Sequence, residues 1–224
     1  MNGLWLLVLL IVIAVLPVIP VWFAFRSQKL GSRLFIFSLG AGLLSVPIAF
    51  LLQSLLPRSG PGLSGTMIFG VFIRIALIEE LSRLPTLFPL RKLVRSAGSG
   101  SGNTLPGPFS ATGAMTGLAA GLGFAAAETG FYGAMDPGAA LLRTFTAAPL
   151  HGACGARAGT ALVIAPEYPV RSAVLFVSAA LIHGMYDFFI LSPGLPSFLS
   201  IPVVLAALGS SLLDLRHNLR RNAA

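Results

Sequence analysis

The sequence predicts an all-α polytopic membrane protein, a bundle of about seven transmembrane helices. Three observations carry this. The 224 residues are 55% hydrophobic and 10% charged, with mean hydropathy +0.87, whereas a soluble domain carries about 25% charged residues. Seven apolar segments are long enough to cross a bilayer, which takes about 20 residues. The basic residues gather in alternate loops between those segments.

The segments run approximately 4–25, 33–56, 64–84, 109–133, 138–164, 170–191 and 197–214. The first lacks a basic leader and a small-residue cleavage site, and it reads as a retained helix. Arg26, Lys29 and Arg33 follow it, and the next loop has only Arg58. The third loop has Arg83, Arg91, Lys92 and Arg95; the fourth has Arg143 beside Asp136; the fifth has Arg171; the tail has Arg216, Arg220 and Arg221. Alternate loops thus hold 11 basic residues against 2, with Arg74 and Arg157 left inside spans. The bias places the N-terminus outside and the C-terminus in the cytoplasm. It also accounts for the net charge of +8 without a nucleic-acid partner.

No polar stretch is long enough for a second domain, so residues 1–224 read as one transmembrane domain. Ser96 to Pro108 is Gly/Ser-rich and reads as a flexible cytoplasmic loop. Before it, Pro85 and Pro89 interrupt helical propagation. Gly113, Gly117 and Gly121 repeat every four residues in the fourth segment, with Gly155 and Gly159 in the fifth. Such faces let membrane helices approach closely.

Against this apolar background, six groups capable of acid, base or ligand chemistry are conspicuous. An acidic residue at a helix centre costs roughly 2.5–3.5 kcal/mol to insert. Glu79 and Glu80 are adjacent in the third segment, and Glu79 stands four residues before Arg83, the favourable orientation for a helical ion pair. Arg83 as an interfacial anchor would explain one glutamate and leave the other unexplained. Glu128 shares a helix face with Phe124 and Tyr132, and Tyr132 could donate to it. His151 follows Pro149, which frees a carbonyl one turn back. Cys154, the single cysteine, offers a Cys–His dyad on paper, although buried cysteine is usually inert filler. His183 and Asp187 are four apart and face one side of their helix, so Asp187 could fix the imidazole tautomer, or serve as ligand or acid itself. Arg74 and Arg157 read as snorkelling or paired within the bundle, and His217 as solvated in the tail.

Depth raises one conflict. His151, His183 and Glu128 fall in the middle or outer half, whereas a third helix ending at 84 leaves Glu79 and Glu80 near the cytoplasm. One common site therefore requires that helix to start later and continue past Pro85.

The ordered motifs E-E-x-x-R, F-x-x-x-E, P-x-H-x-x-x-G and H-x-x-x-D on separate membrane helices resemble the PrsW family of intramembrane proteases, related to the CAAX-prenyl endopeptidases and bacteriocin-processing enzymes. The likeness covers roughly Ile68 to Ile190, within a motif-bearing core at 64–191. It implies an intramembrane endopeptidase of a bacterial cell membrane, acting on membrane-protein or peptide substrates such as an anti-sigma factor. It implies Glu79, Glu80, Glu128, His151, His183 and Asp187 as catalytic residues: Glu79 the general base on water, helped by Glu128; Glu80 its support; His183 the oxyanion or leaving-group donor; His151 a second polar wall. The family usually ends its first motif in Lys, and Arg83 here keeps the charge but not the geometry. A metal version competes, in which Glu79, Glu128, His151 and His183 hold a single zinc ion with a water position open. The cofactor is thus none or one zinc. Two other classes stay open on these residues: a proton-coupled transporter using the buried Glu/His/Asp set, or an inactive membrane scaffold. The chain names no oligomeric state.

Overall fold

The structure is a computed structural model that describes residues 3–57, 65–99 and 111–221; side chains at 3, 96–99 and 216–221 lie outside that description. Arg58, the Gly/Ser-rich loop, and His217, Arg216, Arg220 and Arg221 of the tail therefore fall outside the described residues or side chains.

Among the described residues the architecture is helical throughout. Helices α1 (Gly3–Val15) and α2 (Val18–Ser27) follow one another with a bend of 41°. α3 covers Ser32–Ser54. A short α4 (Gly65–Ile68) widens into π-helical turns over Phe69–Leu77, then tightens into α5 (Ile78–Leu87). A 3-10 turn, Phe88–Leu90, leads into α6 (Arg91–Ser99). α7 (Ala111–Met135), α8 (Pro137–Phe145), α9 (Ala147–Ile164), α10 (Pro169–Leu191) and α11 (Ser200–Arg221) complete the chain.

Among the described residues three helices are long and apolar enough to cross a membrane, Ser32–Ser54, Pro169–Leu191 and Ser197–Leu215, or four if the bent α1–α2 pair counts as one span. The other expected segments are helical but fall short by composition. Arg74, Glu79, Glu80 and Arg83 charge the α4–α5 stretch, and glycines dilute the hydropathy of α7 and α9. These polar or small-residue helices form the interior. α9 is buried at nearly every position from Ala147 to Ile164.

Glycine makes that interior possible. A Cβ on Gly117 would collide with the Gly155 carbonyl, one on Gly121 with the His151 carbonyl, and one on Gly155 with the Gly117 carbonyl. Helices α7 and α9 therefore touch backbone to backbone, the close approach expected of small-xxx-small faces. On its other side α7 meets α3 in the same way, through Gly42 against the Ala120 carbonyl and Gly123 against that of Leu39.

Two expectations change. The third helix does not start later, since α4 begins at Gly65, but it does run through Pro85 to Leu87. That carries Glu79 and Glu80 away from its end. The fifth segment is two helices, α8 and α9, broken at Thr146. Pro149 supplies the reason: it has no N–H for the carbonyl of Phe145 four residues back, where α8 stops. Thr146 Oγ1 then pairs with the Tyr186 hydroxyl at 3.0 Å.

Candidate active site

Arg83 is the hub of the buried polar groups. It is fully buried, not an interfacial anchor. Its Nη1 donates to Glu80 Oε1 at 2.6 Å and its Nη2 donates to His151 Nδ1 at 2.7 Å. Its guanidinium lies over the Phe124 ring, 4.5 Å from the centroid. The sequence spacing suggested a Glu79–Arg83 pair; the ion pair formed is Glu80–Arg83. Residues three and four apart are equally adjacent on a helix, and here His151 and His183 on the neighbouring helices draw Arg83 and Glu80 to the same side.

The hydrogen-bond partners dictate the tautomer of His151 and place a proton on His183 Nδ1. Arginine only donates, so His151 Nδ1 accepts from Arg83, and His151 Nε2–H donates to Glu128 Oε2 at 2.8 Å. Both nitrogens of His151 are thereby committed. A carboxylate paired with arginine only accepts, so His183 Nδ1–H donates to Glu80 Oε1 at 2.9 Å. Glu80, rather than Asp187, orients His183. Its Nε2 then faces Asp187 Oδ2 at 3.3 Å and Glu79 Oε2 at 3.6 Å. Both of those oxygens are buried without a hydrogen-bond partner. The two imidazole rings meet edge to face with centroids 4.7 Å apart.

Two residues that sequence reasoning did not assign complete the cluster. Arg143, read as a loop cation, lies on α8 and binds Glu128 Oε2. It also lies over the Tyr132 ring at 4.2 Å, so Tyr132 packs beneath Arg143 instead of donating to Glu128. Asp136 caps α8 by accepting from the Gly138 amide. Gln53, near the end of α3, donates from Nε2 to Glu79 Oε1 at 3.1 Å. Its one sequence signal is being an amide in an apolar segment. The Cys–His dyad does not form: Cys154 is buried among Ala147, Leu150 and Ala179, its thiol directed at the Ala179 carbonyl. Arg157 binds the hydroxyls of Ser210 and Ser211 on α11.

All six expected residues therefore lie in one continuous network. Its coverage is uneven. Glu80 and Arg83 are completely enclosed, whereas the side chains of Glu79 and Asp187 keep 9% and 14% of their surface. Glu128 keeps 19%, but its Oε2 is taken by Arg143 and His151. The carboxylate oxygens left without a hydrogen-bond partner beside His183 Nε2 are Glu79 Oε2 and Asp187 Oδ2.

The donor set suits a divalent cation. Glu79, His151 and His183 offer ligand atoms within 4.8 Å of one another, but His151 would first have to release Arg83 or Glu128. Asp187 Oδ2 is the more available third donor. A carboxylate holding the far nitrogen of an imidazole, as Glu80 holds His183, is the usual support of a metal-bound histidine. Charge agrees: the carboxylates of Glu79, Glu80, Glu128 and Asp187 face only Arg83 and Arg143 among the described guanidinium groups in contact with them. With neutral imidazoles, two negative charges are left over in a buried place, where unpaired charge is costly.

A family model described as PrsW family intramembrane metalloprotease matches residues 29–209 of the chain. No curated protein and no solved structure matches it.

Proposed function

Because the chain belongs to the PrsW family of intramembrane proteases, we propose that its buried acid–histidine network hydrolyses peptide bonds of membrane proteins, with Glu79 as the base that activates water. The observation that supports this reading is the pair of oxygens without hydrogen-bond partners, Glu79 Oε2 and Asp187 Oδ2, that face His183 Nε2.

Glu79 Oε1 is held by Gln53, which leaves Oε2 to take a proton from water as its oxygen attacks the substrate carbonyl carbon. The carbonyl π pair moves onto oxygen. When the C–N bond breaks, Glu79 returns the proton to the leaving amine, the usual economy of a carboxylate acid–base catalyst. Glu80 acts through His183, fixing the ring so that Nε2 points at the reacting edge. Glu128 orients His151 and is neutralised by Arg143, so it supports the site and does not share the base's work. His183 and Asp187 would hold a divalent metal ion with Glu79 beside them. Such an ion, when bound, polarises a carbonyl and acidifies water.

The substrate class is a single-span membrane protein, such as an anti-sigma factor, in a bacterial cell membrane. The topology proposed with it is one transmembrane domain of seven crossings, N-terminus outside. It rests on the charge pattern, and a reporter fused after Ala224 is expected to read cytoplasmic; an external reading would overturn it.

The test uses the full chain purified into bilayers with co-expressed single-span substrates. Glu80→Gln and His183→Ala are each expected to lower cleavage by about 100-fold or more. Wild-type rates in both variants would sink the reading, and proton-linked solute flux without cleavage would replace it by a carrier. Chelation is expected to abolish cleavage, with zinc restoring it. Full activity in protein shown by elemental analysis to be metal-free would remove the metal from the mechanism and leave Glu79 in place.

A further inference from the structure

A cavity of about 320 Å³ is lined by Phe50, Gln53, Ser54, Leu56 and Arg74. Gln53 joins it to the site just described. Its side-chain amide holds Glu79, and its backbone carbonyl accepts from Arg74 Nε at 3.1 Å. One residue thus ties the catalytic carboxylate to a cation in the cavity wall.

Arg74 forms no ion pair with a described acid, and its one described hydrogen bond uses Nε. The two terminal amino groups are left to the cavity. They are not among the buried polar atoms that lack a partner, so they are open to whatever occupies it. An arginine set in an apolar span without a counterion is costly unless something anionic meets it. Guanidinium geometry favours a carboxylate, bound by two parallel N–H donors. Phe50 and Leu56 give the cavity apolar walls, and Ser54 and Gln53 add polar groups. This combination suits a short side chain ending in a carboxylate, rather than a bulky apolar one.

We propose that this cavity is a specificity subsite that receives an aspartate or glutamate side chain of the substrate, close to the scissile bond, with Arg74 as its carboxylate anchor. The proposal rests on the protease reading above. A volume of about 320 Å³ lies at the small end of ligand pockets and is ample for one such side chain with water. The wall shared through Gln53 places the anchor next to Glu79, so an acidic residue seated there would hold the neighbouring peptide bond against the base.

The test uses the full chain in bilayers and a set of single-span reporters. In these, Asp, Asn or Arg is walked one residue at a time through the outer third of the transmembrane segment. Wild type is expected to cleave the Asp reporter about tenfold faster than the Asn reporter at one register. Arg74→Gln is expected to erase that margin, and Arg74→Glu to transfer it to the Arg reporter. This charge-reversal rescue distinguishes lost recognition from a misfolded variant. Equal cleavage of all reporters by wild type, lost in Glu79→Gln, would overturn the subsite and leave the protease reading intact. No cleavage of any reporter would overturn both. A dependence on Arg74 that appears only when the bilayer contains an anionic phospholipid, and is the same for every reporter, would assign the cation to lipid headgroups and overturn the subsite.

Discussion

Glu79→Gln is expected to lower cleavage of a single-span substrate by about 10³-fold while leaving the protein at least as stable as wild type. The first part follows from the role of the carboxylate. General acid–base groups contribute on the order of 10²–10⁴-fold, and an amide cannot take up the proton of water. The second part follows from charge. The network has more carboxylates than guanidinium groups to meet them, and Glu79 belongs to the excess. A glutamine can still accept from Gln53 with its oxygen and can donate its N–H₂ toward His183 Nε2 or Asp187, which lie on that side. Removing a surplus buried charge without removing its hydrogen bonds relieves self-repulsion. Cleavage measured in bilayers and thermal unfolding measured in micelles must therefore move in opposite directions, or unfolding must stay still. Cleavage within tenfold of wild type would refute the role, and a marked fall in melting temperature would refute the charge argument.

Arg83→Met is expected to do the reverse, destabilising the fold by roughly 3–5 kcal/mol, the usual cost of stranding one partner of a buried ion pair. The side chain is enclosed completely, so no water replaces the lost donors. Glu80 would be left with His183 alone, and His151 Nδ1 would have no donor. Methionine keeps much of the volume, which isolates the electrostatic loss from a cavity effect. Arg83→Lys should fall between, because one ammonium group cannot reproduce a planar fork spanning Glu80 and His151. The double variant Arg83→Met/Glu80→Gln should recover part of the loss, since it removes the stranded charge. Unfolding midpoints and steady-state membrane levels of the four proteins provide the check. A single Arg83→Met variant as stable as wild type would show that the hub is dispensable.

What could be read from the chain divides along a physical line. The apolar segments were visible because a bilayer demands about 20 apolar residues whatever their neighbours are. His183 and Asp187 were visible as a pair because both sit on one helix, where four-residue spacing is decisive. Glu128 and His151 were visible as candidates only, since their bond crosses from α7 to α9. Its register is set by where Gly121 meets the His151 backbone, and no local period reports that. The choice of Glu80 over Glu79 for Arg83 had the same origin: both spacings are permitted on the helix, and the deciding imidazoles come from α9 and α10. Arg143 was counted with a loop because the break at Thr146, which makes α8 a separate helix, depends on Pro149 further along. Gln53 was missed because a neutral amide in an apolar segment costs little and draws no notice.

The division between apolar outer helices and a glycine-rich, charged interior has a consequence for biogenesis. A translocon releases a segment into lipid according to that segment's own hydrophobicity. By that criterion α3, α10 and α11 can enter unaided, whereas α7, α9 and the charged α4–α5 stretch enter only with partners already present. The nascent chain must therefore gather its interior before it meets lipid. The helices that carry Glu79, Glu80, Glu128 and His151 then depend on partners for entry, whereas α10 brings His183 and Asp187 unaided. The earlier α3, whose Gly42 and Leu39 receive α7, serves as the first landing surface.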